Sequence, residues 1–191
     1  MESTLLRAGT MPKLPVVTIG GEDVAQIRDV VYDAGSGELI GFTLAGRGMF
    51  SGPMKRVLPW DAVIGLGPDA VIIPDEDAFV PRADLRDPVD DREVIGARVV
   101  TDDGRHVGDV TDLVVQVRDG AADIVGYELE PSEAFRGSSS HILVPLPDTL
   151  AATGDNLVVP AGATEYVRDD LAGFGAAVDD FRARLGRGGD A

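Results

Sequence analysis

The sequence predicts an all-β chain, two tandem small β-barrels followed by a C-terminal amphipathic helix. Three observations carry that expectation. "VAQIRDVVY" (Val24–Tyr32) and "VGDVTDLVV" (Val107–Val115) repeat one apolar–polar pattern at an offset of 83 residues. The chain holds 24 glycines and 12 prolines, which suits short strands joined by tight turns better than long helices. Near the C-terminus, Leu171, Phe174, Val178, Phe181 and Leu185 recur at steps of 3, 4, 3 and 4, the spacing of one helical face.

The first unit is expected over residues 1–80. Beyond the opening match the register persists: "LIGFTL" (Leu39–Leu44) answers to "IVGYEL" (Ile124–Leu129) at an offset of 85. Pro59 answers to Pro145, and "DAVIIP" (Asp69–Pro74) to "DNLVVP" (Asp155–Pro160), both at 86. Small insertions between strand-like runs explain the drift, as duplication followed by loop editing would produce. Turn signals separate the runs: "DAGSG" (Asp33–Gly37), "TDDGR" (Thr101–Arg105) and "RDG" (Arg118–Gly120). Gly41 and Gly126 sit mid-strand, where glycine marks a bulge, a bend or a close backbone approach. A unit of about 70 residues with roughly six short strands must curl to bury one face and hide its edges. Residues 81–93, charged and holding Pro81 and Pro88, read as a linker, and residues 94–166 as the second unit. Residues 167–191 read as the helix and a frayed "GRGGDA" tail, with Asp169 and Asp170 favouring the helix start and Arg182 and Arg184 its end. Gly173 and Gly175 weaken that helix, so it needs tertiary support. Docking on its own barrels is the expected arrangement. Pairing with a second chain as a homodimer is the alternative.

The D-G turn followed by "VGDVTDLVV", "IVGYEL", "ILVPLP" and "DNLVVP" resembles the PRC-barrel domain family over roughly Leu14–Pro74 and Ile95–Pro160. The likeness is stronger in the second copy; in the first, Ala25 stands where the second has Gly108. The resemblance implies a small β-barrel in each half and a non-catalytic adaptor that binds proteins, some family members acting near RNA or membranes. Its motifs are structural glycines, prolines and apolar positions, which speak to fold rather than to activity.

Composition narrows the classes further. A formal net charge of −16 argues against a broad phosphate-binding surface, so direct nucleic-acid contact is not expected. The acidity is uneven: residues 1–86 carry 8 Lys/Arg against 12 Asp/Glu, and residues 87–191 carry 9 against 21. With no cysteine there is no thiolate chemistry, disulfide or Cys-based zinc site. The start "MESTLLRAGTMPKL" lacks a cationic segment leading into an apolar one, and no run of roughly 18 apolar residues occurs. A cytoplasmic location is the expectation.

Catalytic constellations are not evident. His106 follows a turn, and His141 follows "RGSSS", where sequence adjacency supplies neither an orienting third group nor an oxyanion site. The paired carboxylates at Asp75–Asp77, Asp90–Asp91, Asp102–Asp103 and Asp179–Asp180 lack calcium-loop spacing. No catalytic, cofactor-binding or metal residue is assigned. Asp29 and Asp112, equivalent in the two copies, each lie between apolar strand residues and need a turn amide or an arginine as partner.

The best functional lead is the hairpin tip "GRGMFSGPMKR", which sets Met49, Phe50 and Met54 beside Arg47, Lys55 and Arg56. Thioether, aromatic and cationic side chains at a loop tip suit a protein contact. The competing reading folds Met49 and Phe50 back over the barrel. Two other functions stay open: a ribosome- or RNA-processing factor that binds a basic ribosomal protein, and peripheral docking to an anionic membrane through the Arg47–Arg56 loop.

Overall fold

The computed structural model describes residues 3–33, 35–47, 52–137, 139–146 and 156–188. The strands are β1 (Thr4–Arg7), β2 (Pro15–Thr18), β3 (Asp23–Asp33), β4 (Leu39–Ala45), β5 (Pro53–Pro59), β6 (Gly65–Leu66), β7 (Val71–Ile73), β8 (Val80–Pro81), β9 (Pro88–Asp90), β10 (Arg98–Thr101), β11 (His106–Arg118), β12 (Ala121–Pro131), β13 (Ile142–Pro145) and β14 (Asn156–Val159). Among the described residues the α-helix is α1, Leu171–Gly188, beside several short 3-10 turns. It thus runs three residues into the stretch expected to fray. Among the described residues no helix is long and apolar enough to cross a membrane.

Two curled sheets result. The first runs β6-β7-β2-β3-β4-β5-β8, with β9 also on β3; the second runs β13-β12-β11-β10-β14, with β1 also on β11. Neither path returns to its starting strand, so each barrel is an open roll. The repeat is reproduced down to its irregularities. β2 and β3 shift register at Val16/Val17, and β10 and β11 at Val99/Val100. The β3–β4 pair shifts at Ile27/Asp29 and Val31/Tyr32, and the β11–β12 pair at Val110/Asp112 and Val114/Val115. Each shift recurs 83 residues on, because an extra residue is the device that bends a long strand enough to roll a small sheet. Gly41 pairs with Pro59 and Gly126 with Pro145, so the matched residues occupy matched places. At the Arg118–Gly120 turn, Asp119 and Gly120 both adopt positive φ (55° and 84°), the mirror-image turn that suits a tight hairpin.

The first and second repeats exchange a strand. β1, at the head of the first, pairs with β11 of the second, with Arg7 opposite Val114. β9 pairs with β3 of the first, with Asp90 opposite Val31. Arg7 and Asp90 are 83 residues apart, and so are Val31 and Val114, which makes the exchange reciprocal. The stretch 81–93, read from composition as a linker, therefore contributes β9 and a 3-10 turn at Asp91–Glu93 to the first repeat's sheet. Its prolines fit: Pro88 opens a short edge strand, where a missing amide costs no ladder bond. A second contact joins the repeats at Glu38 and Asp123, which form an isolated antiparallel bridge, and Ile124 N–H donates to Gly37 O at 2.8 Å. One apolar core runs through both repeats, from Val16, Phe42 and Leu58 to Val99, Leu129 and Val144.

α1 lies on the outer face of the second sheet. Phe174 and Val178 pack on Val114, Val125 and Leu143, with Leu5 and Leu171 at the margin. Phe181 joins the main core and stacks at a tilt on Tyr166, 5.5 Å between centroids. Ala177, absent from the sequence-derived seam, is buried as well, and Leu185 ends the seam exposed. Asp170 caps the helix by accepting from Gly173 N–H at 2.8 Å.

Candidate functional site

The hairpin singled out by sequence is only partly a tip. β4 ends at Ala45 and β5 begins at Pro53, so Met54, Lys55 and Arg56 lie on a strand. Met49 and Phe50 fall outside the described residues. Met54 is half-buried against the core, so its share of the apolar cluster goes to packing. Lys55 and Arg56 are exposed. Arg47, also exposed, lies 3.7 Å from Asp23 across the sheet. Arg56 stands opposite Pro81 in the β5–β8 pair.

Next to that edge lies a cleft of about 390 Å³. Ile40, Pro59, Trp60, Val80 and Leu85 form its apolar wall, and Glu38, Asp61, Asp84 and Arg86 its rim. Sequence reasoning missed this feature, since it brings β4, β5, β8 and the 82–86 stretch together from separate runs. Trp60 is fixed from both sides: its indole N–H donates to Gly120 O at 2.8 Å, and its ring tilts against Phe42 at 6.1 Å. Arg86 is held by Asp33 at 2.8 Å and by Glu38 at 3.4 Å. Burial works to raise the Asp33 carboxyl, but hydrogen bonds from Arg86 and Ser36 outweigh it and hold the group below the usual carboxylate range. The cleft also has a meaning within the repeat. Ile40 is the counterpart of Val125, on which α1 sits in the second repeat. In the first repeat the chain turns back into β9 instead of continuing as a helix, and the equivalent face stays partly open.

The second concentration of charge lies where the repeats exchange strands. Asp29 and Asp112 occupy equivalent bulges, and each receives the predicted type of partner from the 3-10 turn that follows the exchanged strand. Asp112 accepts from Gly9 N–H at 2.9 Å and from Leu113 N–H at 2.7 Å. Asp29 is paired with Arg92, the counterpart of Gly9, and accepts from Thr43 Oγ1 at 2.7 Å. At Gly9 a Cβ would come within 2.7 Å of Asp112 Oδ2, so the amide approaches this closely only because the residue has no side chain. Where the first repeat has Thr43, the second has the buried Glu128, paired with Arg7 from β1 at 2.5 Å. Burial pushes the Asp112 carboxyl up, against the two amides that favour its charged form.

His141 lies exposed, with Nδ1 3.8 Å from Glu128, and its backbone N–H meets Ser139 Oγ at 3.4 Å. His106 opens β11, 3.4 Å from Asp109. Neither geometry forms a hydroxyl–imidazole pair. Among the described residues no group of three or more His, Asp or Glu is placed to hold a metal ion.

No curated protein sequence matches this chain. The PRC-barrel domain model, by contrast, matches it twice, over residues 6–78 and 87–165. Each match takes in one bulged long strand, its hairpin partner and the aspartate at the bulge, and together they cover most of the chain, which therefore belongs to the PRC-barrel domain family as a tandem pair.

Proposed function

We propose that this protein is a non-catalytic cytoplasmic adaptor whose first repeat binds a protein partner along the β4–β5–β8 side. The observation that carries the reading is the placement of exposed Lys55 and Arg56 beside the cleft walled by Ile40, Trp60, Val80 and Leu85. Protein contacts are commonly built from an apolar recess with an aromatic wall and a charged rim. The cations lie in the less acidic half of a strongly acidic chain, so they offer a local contrast that can orient a partner.

The test is a pull-down from the native host followed by reconstitution with the purified partner. Two variants are compared with wild type: Lys55→Glu/Arg56→Glu and Met49→Ser/Phe50→Ser. Loss of the complex with a melting temperature held within a few degrees supports the reading. A large thermal loss in Met49→Ser/Phe50→Ser assigns those two side chains to packing instead. A basic ribosomal partner whose binding survives reversal of the cations would move the interface to the acidic surface. Salt-sensitive binding of wild type to anionic vesicles, without a protein partner, would replace the adaptor reading with membrane docking.

A further inference from the structure

The two exchanged turns are built alike but differ at one buried position. Residue 8, in the first of them, is alanine, fully buried and in need of nothing. Its counterpart 83 residues on is Asp91, 7% exposed, and its Oδ1 has no hydrogen-bond partner. A buried carboxylate without a full set of donors is costly, and the usual escape is to take up a proton. What faces it deepens the difficulty. Its charge meets those of Asp29 from β3, Arg92 from its own turn and Asp112 from β11, and Tyr32 of β3 lies where Asp90, Asp91 and Glu93 all act on it; beyond these, Arg28 sits on Asp29, and Glu128 of β12 and Arg7 of β1 act on Asp112. The cations here are engaged with other carboxylates: Arg92 and Arg28 with Asp29, Arg7 with Glu128, and Arg82 with Asp90. Asp91 is thus a surplus acid inside the clasp that joins the repeats.

We propose that Asp91 makes this clasp proton-responsive, so that protonation tightens β9 and its turn onto β3 and ionisation loosens them. As an acid, Asp91 is neutral, so its burial costs far less and the repulsion is gone. As a carboxylate, it repels Asp29 and Asp112 across the junction. Burial, followed by the Asp29 charge, pushes its carboxyl up to about 6, against the Arg92 amide and guanidinium, so its charge changes close to neutral pH. The sign follows from linkage. A carboxyl raised in the closed clasp binds its proton more tightly there than in the opened chain, whose value is about 3.9. Its stabilising contribution is therefore complete below about pH 4 and is lost as pH rises through about 6.

Hydrogen exchange on the full chain tests this, with protection factors corrected for the intrinsic pH dependence of exchange. Protection of residues 88–93 in wild type should fall about tenfold between pH 5 and 7.5, the factor that linkage gives for values of about 6 closed and about 3.9 open. Protection in the β11–β12 hairpin should change far less. Asp91→Ala, which copies the equivalent first turn, should abolish the pH dependence at residues 88–93 and leave them better protected than wild type at pH 7.5. Asp91→Asn, close in shape and without charge, should likewise be flat with pH, and it carries the test if the alanine variant folds poorly. A flat wild-type profile, or a tenfold change that persists in both variants, overturns the proposal.

Discussion

The seat of α1 offers the sharpest quantitative test of how this fold is packed. A Cβ added at Gly126 would meet Phe174 Cζ at 2.4 Å, Phe174 Cε1 at 2.7 Å and Val144 O at 2.8 Å. Ordinary carbon contacts lie at about 3.5–4 Å, so Gly126→Ala forces the ring out by roughly 1 Å. Overpacking of this kind costs about 1–3 kcal/mol, and removing the ring altogether with Phe174→Ala costs about 3–5 kcal/mol. For a chain of this size 1 kcal/mol moves the melting temperature by about 2–4 °C, so the expected losses are about 2–12 °C and about 6–20 °C. The pair is informative because the two effects share one cause. With the ring gone, the added methyl keeps only its conflict with Val144 O, so the double variant should lose less than the sum of the singles. A coupling of about 1 kcal/mol or more is expected, since the side chains are in contact. Thermal melts followed by near-ultraviolet circular dichroism, with a hydrophobic dye to report the uncovered sheet, give all four corners of the cycle. Strict additivity would refute the assignment of Gly126 as the seat of Phe174. Gly41→Ala is the control, because its Cβ would strike backbone, Leu58 O at 2.4 Å, and no side-chain truncation can relieve that.

Three further outcomes follow from the same contacts. Because each repeat completes its sheet with a strand from the other, calorimetry should show one cooperative transition; two resolved transitions would mean that the exchange does not couple them. Arg86→Ala should make the protein more acid-sensitive: the depressed Asp33 carboxyl stabilises the fold above its unfolded value and loses that contribution as pH falls below about 4, so removing the arginine should move the acid-unfolding midpoint to higher pH. Gly9→Ala should destabilise by about 1–3 kcal/mol in urea titrations, since the turn must retreat and leave Asp112 one amide short, and an unchanged midpoint would count against that hydrogen bond.

The repeat, the fold and the helix seam were legible because they rest on features that repeat locally. Gly41 and Gly126 lie inside matching apolar runs, and Phe174, Val178 and Phe181 keep helical spacing, so periodicity alone finds them. The need of Asp29 and Asp112 for a partner was legible too, since a carboxylate within a run of apolar strand residues demands one. The identity of the partner was not. Gly9 and Arg92 are equivalent in space yet share no chemistry, and "LRAGT" shows no likeness to "VDDRE". An exchanged strand leaves no periodic mark either: β9 is three residues long, begins with proline and sits in a charged stretch, which composition reads as a linker. The cleft was hidden for a related reason, as Ile40, Trp60, Val80 and Leu85 meet only once the sheet has rolled.

What the two repeats kept and what they changed also separates the features that fix the backbone from those that differ between the copies. Kept are the three register shifts, the paired glycines and prolines, the positive φ of Gly21 and Gly104, and even that of Lys13 at the position equivalent to Gly96, where a side chain tolerates the left-handed region at some cost in strain. These fix the backbone, and a change at any of them disturbs the roll itself. Changed are the carboxyl at 91 against the methyl at residue 8, the exposed cations of β5 against the buried run of β13, and the cover on the outer face. In the second repeat that cover is a complete helix, held down by Phe174 in its first turn. In the first it is a short strap that leaves Ile40 beside open space. A duplicated scaffold under no separate demand would have no reason to seal one copy and leave the other open. The asymmetry therefore supports the proposal that the first repeat, with its outer face partly open beside Ile40, is the side on which an adaptor of this build takes its partner, while α1 closes the same face of the second.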